Sequence, residues 1–193
     1  IRQHNYNYGE QMARAGYLTI APDLRGFGER RDGADPFPGR DPCNVNFIKG
    51  ALMGVYTLTL NIWDMKRCID YLETRPEVDP GRIGMMGLSQ GGTMTTFTTA
   101  LESRIKAADI ISYVNTWRGF GIARANFCGS QIVPGIYRDL DTDDIAGLIA
   151  PRPLLIEMGI YDDCFFIQDL LEGYEGVKRI YAAAGASDRL WAD

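Results

Sequence analysis

The stretch RIGMMGLSQGGTMTTF, residues 82–97, constrains the fold more than any other part of the chain. A short apolar run meets Gly87-Leu88-Ser89-Gln90-Gly91, and a run of small and threonine-rich residues of helical character follows. A buried strand that turns within a few residues into a helix is one half of a strand–helix crossover, and such crossovers belong to parallel sheets. The tight turn needs positions without side chains, here Gly87 and Gly91, and it pushes Ser89 into strained backbone with its hydroxyl exposed. The new helix points its N-terminal dipole and free N–H groups at that hydroxyl. Ser89 therefore reads as a nucleophile, with the Gln90 N–H as one oxyanion donor. The other reading of the same residues is a glycine-rich turn in which Ser89 is a plain N-cap.

The remaining sequence repeats the alternation. YLTIAPD (17–23) is a short β-branched run and is expected to be a strand, preceded by a helix with Tyr8, Met12 and Ala15 on one face and Gly16 as its stop. Leu58, Ile62, Met65, Ile69 and Leu72 mark one helical face, ended by Pro76 and the DPG turn at 79–81. AADIISYV (107–114), PLLIEMG (153–159) and RLWAD (189–193) are strand-like, and Phe166, Leu170, Tyr174, Val177 and Tyr181 mark a further helix. Strands that are mostly continuous apolar runs imply a parallel sheet covered on both faces. Segments 24–57 and 115–147 read as irregular and pocket-forming. No linker or repeat divides residues 1–193, so one domain is expected.

Composition narrows the function. The net charge is −5 with no basic run, which leaves out nucleic acid and anionic membrane surfaces as partners. No apolar stretch approaches the roughly 18 residues of a membrane span. Cys43, Cys68, Cys128 and Cys164 form no C-x-x-C pair, so no metal is expected and the four read as buried free thiols. The expected compartment is the cytoplasm.

Three stretches resemble the α/β-hydrolase superfamily, in the branch of dienelactone-hydrolase-like proteins and acetyl xylan esterases. APDLRGFGER resembles the Arg-Gly motif after an early strand, with Phe27 where the acetyl xylan esterases carry Gln. VDPGRIGMMGLSQGG resembles the nucleophile elbow, and APRPLLIEMGIYDD the strand and loop that deliver the acid. The resemblance implies an α/β-hydrolase fold, truncated here at both ends, and a triad in the order Ser, Asp, His. Asp162 matches the acid, with Asp163 as the other candidate in the same loop. The base would follow RLWAD, past Asp193, and the second oxyanion donor would precede residue 1. His4, the one histidine in the chain, lies before the first helix and is not expected to act as that base. Arg25 could brace the elbow through Asp64 or Asp23, or grip a substrate; Trp117 is a candidate for lining the pocket. The implied activity is hydrolysis of a small acyl ester through an acyl-enzyme, with no cofactor and a small-molecule ester as the substrate. Lactone hydrolysis, acyl-peptidase activity, or a non-catalytic binding protein on the same fold are the alternatives, and oligomeric state is open.

Overall fold

The computed structural model describes residues 7–31, 39–125 and 127–193. Among them four strands form one sheet in the order β1-β2-β3-β4: Gly84–Leu88, Ala107–Ile111, Leu154–Glu157 and Leu190–Ala192. All three pairings are parallel. The helices are α1 Tyr8–Arg14, α2 Pro42–Leu52, α3 Thr57–Glu73, α4 Gln90–Leu101, α5 Thr142–Gly147 and α6 Ile167–Ala183. Every link between adjacent strands carries a helix, as parallel pairing demands.

Helices flank the sheet on both sides, with unequal coverage. Ala108, Ile110, Leu154, Ile156 and Leu190 are buried against Met94 and Phe97 of α4 and Leu170, Val177 and Tyr181 of α6. Leu58, Ile62 and Met65 of α3 complete that core. Register places Met86, Asp109, Leu155 and Trp191 together on the opposite face. The first three are only partly buried, and Trp191 is 51% exposed.

The helix carrying the Gly-Leu-Ser-Gln-Gly turn is the most enclosed, with Gly92 to Thr99 all buried. Thr95 and Thr96 satisfy their hydroxyls on the carbonyls of Gly91 and Gly92, at 2.9 and 2.8 Å. Its far end is held by Arg152, whose guanidinium donates to the carbonyls of Thr99, Glu102 and Ile105 at 2.6, 2.9 and 2.8 Å.

Several sequence expectations are corrected. YLTIAPD forms no strand: Tyr17, Leu18 and Ile20 are 60, 45 and 42% exposed, and no described strand pairs with the segment. A β-branched run is a strand only where a neighbour completes its ladder. Segment 24–57 is not irregular throughout, because α2 occupies Pro42–Leu52, with Asp41 as N-cap and Pro42 at its first turn; nor is 115–147, which holds the helical turn Trp117–Ala123 and α5. None of the four cysteines is in a disulfide, as expected, but only Cys43 is buried; Cys68 and Cys128 are intermediate and Cys164 is exposed.

Candidate active site

Ser89 stands between the last residue of β1 and the first of α4, at φ 56° and ψ −112°. Positive φ is costly for a residue with a Cβ, of order 1–3 kcal/mol, and persists only where the surroundings enforce it. Here they do. The Ser89 N–H donates to the Ile111 carbonyl at 2.9 Å, tying the turn to the end of β2. The Ser89 carbonyl accepts from the Thr93 N–H at 2.9 Å and from the Thr93 hydroxyl at 3.4 Å.

The glycines divide differently from the sequence reading. A Cβ on Gly87 would run into the Gly91 backbone, and one on Gly92 would sit 2.7 Å from Tyr113 Cβ and 3.0 Å from the Ile111 carbonyl. A Cβ on Gly91 would meet nothing within 4 Å. The turn thus needs glycine at 87 and 92, not at 87 and 91. Gln90 opens α4, where a backbone N–H has no acceptor within the helix. Its side-chain Oε1 accepts from the Ser130 hydroxyl at 3.3 Å.

Asp162 lies in the loop after β3. Its Oδ1 accepts from the N–H groups of Cys164 and Phe165 at 2.8 and 2.9 Å, and its own N–H donates to the Gly159 carbonyl at 3.2 Å. Phe165, 3% exposed and stacked on Phe120 at 4.3 Å, anchors the turn in the core. One carboxylate oxygen is thereby fixed by backbone, which holds the group rigid. Asp163 is exposed and takes no part in these bonds. Asp162 and Asp163 line a cavity of about 740 Å³ together with Leu88, Ile111, Ser112, Glu157, Tyr161 and Asp193, among others. These residues belong to the carboxyl ends of all four strands, where open α/β sheets hold their ligands. Leu88 immediately precedes Ser89, so the elbow and the acid loop border one opening; Ser89 itself is not among the residues lining it.

Arg25 braces and does not reach the cavity. Its Nε and Nη2 grip Asp64 at 2.8 and 2.9 Å, its N–H donates to Asn61 Oδ1 at 3.1 Å, and Arg30 adds a second contact to Asp64 at 2.8 Å. Burial pushes the Asp64 carboxyl up, but the bonds from Arg25 and Arg30 outweigh it and hold it below its ordinary value. Asp23, the other candidate partner, accepts from the Glu29 N–H at 2.9 Å instead. Trp117 is 4% exposed, opens a π-helical turn at Trp117–Ala123, and packs in the main core edge-on to Tyr137 at 6.1 Å. It is core, not a lining residue of the cavity. His4 lies outside the described residues.

A pair of carboxyls escaped the sequence reading. Asp109, in the middle of β2, is a near neighbour of Glu157, which sits at the end of β3 and lines the cavity. Burial, then the Glu157 charge, push the Asp109 carboxyl up to about 6. The signal was present: an acidic residue inside the apolar run AADIISYV.

A family model described as acetyl xylan esterase (AXE1) matches residues 4–118. Over 186 residues the chain is 30% identical to YtaP, a presumed hydrolase of Bacillus subtilis (strain 168), covering 94% of this chain and 59% of that protein. The chain therefore spans less than two thirds of that relative. The solved structure of a presumed acetyl xylan esterase from Bacteroides fragilis NCTC 9343 superposes with a TM-score of 0.74 at 17% identity, over 94% of this chain and 47% of that one. A glucuronoyl esterase catalytic domain from Hypocrea jecorina superposes with a TM-score of 0.59 at 22% identity, over 72% of this chain and 45% of that one. At these identities the superpositions speak to the fold, which is that of the α/β-hydrolases.

Proposed function

Because the chain belongs to the acetyl xylan esterase family, the Phe27 departure notwithstanding, we propose that the whole protein hydrolyses carboxylic esters through a serine acyl-enzyme. The observation that carries this reading is the positive φ of Ser89, a residue with a Cβ, at a strand–helix junction. That conformation lifts the hydroxyl out of the turn and leaves the Gln90 N–H facing the same space.

In the proposed reaction the Ser89 Oγ attacks the ester carbonyl carbon while its proton passes to a histidine. The developing oxyanion is met by the Gln90 N–H and the α4 dipole. The alcohol leaves with the proton from the imidazolium, and water then hydrolyses the acyl-enzyme by the same route. Asp162 orients the imidazole and stabilises its charged form, a role that suits a carboxylate pinned by two backbone amides. The histidine is the one that the family order places after β4. Asp193, at the end of that strand, borders the cavity, which supports a base arriving from there. The substrate class favoured is an acetyl or other small acyl ester on a carbohydrate, in keeping with the esterases of similar fold.

The test is labelling of the full-length protein with a fluorophosphonate probe, followed by hydrolysis of p-nitrophenyl esters of increasing chain length and of acetylated xylan. Ser89 should be labelled, and Ser89→Ala should abolish labelling and lower kcat by several orders of magnitude. Labelling that survives the substitution rules Ser89 out.

A further inference from the structure

We propose that Cys43 and Cys128 form a peroxide-reactive thiol pair that closes to a disulfide directly behind the Ser89 turn. The two residues are 85 positions apart, yet the fold presses their segments together. Cys43 is in the first turn of α2, its N–H held by the Asp41 carboxylate at 2.9 Å. Cys128 begins the short turn Gly129–Gln131, and the next N–H, that of Gly129, donates to Asn44 Oδ1 at 2.9 Å. Gly129 packs so closely on Phe47 of α2 that a Cβ there would overlap the ring, so the two backbones are locked at short range. Within that contact the Cys43 and Cys128 side chains lie near enough to perturb each other's ionisation, with Ser130 beside them.

The pair is asymmetric in access and in acidity. Cys43 is 5% exposed, whereas Cys128 is only partly buried and is the one a small oxidant meets first. The neighbouring Cys43 thiol pulls the Cys128 thiol below its ordinary range, and Cys128 together with burial pushes the Cys43 thiol far up. A readily ionised thiol that is reached first, beside a second thiol that can resolve it, is the arrangement of a redox-sensitive pair.

The chemistry balances with a hydroperoxide as oxidant. The Cys128 thiolate attacks one peroxide oxygen; the S–O bond forms, the O–O bond breaks, and hydroxide leaves to take a proton from solvent. The Cys43 sulfur then attacks Cys128; the S–S bond forms, the S–O bond breaks, and the hydroxyl leaves as water with the Cys43 proton. Two thiols are oxidised and, with hydrogen peroxide, the peroxide is reduced to two waters.

The location gives the modification a consequence. Cys128 Sγ also bonds Gln131 Oε1 at 3.4 Å, Gln131 Nε2 donates to the Thr93 hydroxyl at 2.9 Å, and Thr93 holds the Ser89 carbonyl. Ser130 meanwhile donates to Gln90. Drawing the Cys128 sulfur into a bond of about 2.05 Å with Cys43 disturbs the first link of that chain. This consequence rests on Ser89 being the nucleophile; formation of the disulfide does not.

The full-length protein is treated with hydrogen peroxide near stoichiometry, quenched with N-ethylmaleimide, digested without reductant and mapped by mass spectrometry. The expected product is one Cys43–Cys128 cross-linked peptide, reversed by dithiothreitol, formed at least about tenfold faster than oxidation at Cys68 or Cys164. Cys43→Ser should leave Cys128 as a sulfenic acid that dimedone traps. Both thiols remaining alkylatable in the wild-type protein, or Cys164 oxidising first, overturns the proposal, and the wild-type measurement decides even if a variant does not fold. A cross-link in a protein without esterase activity leaves the proposal standing and sinks the functional reading instead.

Discussion

Replacing Asp109 by Asn should stabilise the folded chain at pH 8 and leave it almost unchanged at pH 4. The carboxyl sits partly buried in the middle of β2, beside Glu157, with Oδ1 unpartnered among the described residues. Burial first, and the neighbouring charge second, raise it from 3.8 to about 6. A carboxyl raised in the fold favours the folded state fully only below its unfolded value. That contribution drains away as pH climbs from 3.8 through 6, because ionisation is then easier in the unfolded chain. Each pH unit in that window is worth about 1.4 kcal/mol, so the penalty reaches ~3 kcal/mol at pH 8 and is only ~0.5 kcal/mol at pH 4. Asn keeps the shape, carries no charge and can donate to Glu157. The assay is urea unfolding of both proteins at the two pH values, comparing midpoints with the slope unchanged. At pH 8 the gain corresponds to roughly 6–12 °C in Tm for a chain of this size. A gain equal at both pH values, or a loss at pH 8, would refute the account of Asp109 as a carboxyl that resists ionisation.

Asp162→Asn keeps an oxygen for the Cys164 and Phe165 amides, so folding should survive while kcat for p-nitrophenyl acetate drops by about three to four orders of magnitude; Asp163→Asn should cost less than about tenfold, and the reverse ranking moves the acid one residue along. Gly92→Ala should destabilise by about 1–3 kcal/mol through overlap with Tyr113 and Ile111, whereas Gly91→Ala should be neutral or gain up to ~1 kcal/mol; equal denaturation midpoints would contradict the contacts described for the turn. Glu102, pulled down to about 2 chiefly by hydrogen bonds from Arg104, contributes stability present above pH 4.5 and lost as pH falls toward 2. Glu102→Gln should therefore flatten the acid limb of a stability–pH curve, and a curve as steep as that of the wild type would count against it.

The legible parts of the chain were those whose signal is local. The α3 face shows why: Leu58, Ile62, Met65 and Ile69 recur at helical spacing, and all four are buried. The same holds for the turn at Ser89, where glycine, strand and helix lie within ten residues. What failed depends on partners distant in sequence. YLTIAPD has the composition of a strand but no described neighbour. The α2 helix carries Asp41-Pro42 as its start, yet Ile48 and Leu52 point outward, 61 and 85% exposed, so no apolar period announces it. Trp117 looked like a pocket residue because an irregular segment follows it; the segment instead folds its first turn into the core. Gly91 and Gly92 are adjacent in sequence, and only the position of Tyr113 on another element tells which one must lack a side chain.

Arg152 sets the Ser89 position from the other end of α4. A helix of 12 residues is a rod about 18 Å long. With one guanidinium gripping carbonyls of its last turn, its C-cap and the segment beyond, any tilt of that rod about the Arg152 end is felt most at the serine end. A tilt of about 3° at the grip would carry Ser89 sideways by roughly 1 Å, a displacement of the size that can cost a hundredfold in rate. The bond from the Ser89 N–H to Ile111, the close approaches at Gly87 and Gly92, and the Gln131–Thr93 bond oppose that swing. The alignment of the serine is therefore in part a lever problem, in which a residue that touches no substrate bears on how far the hydroxyl strays.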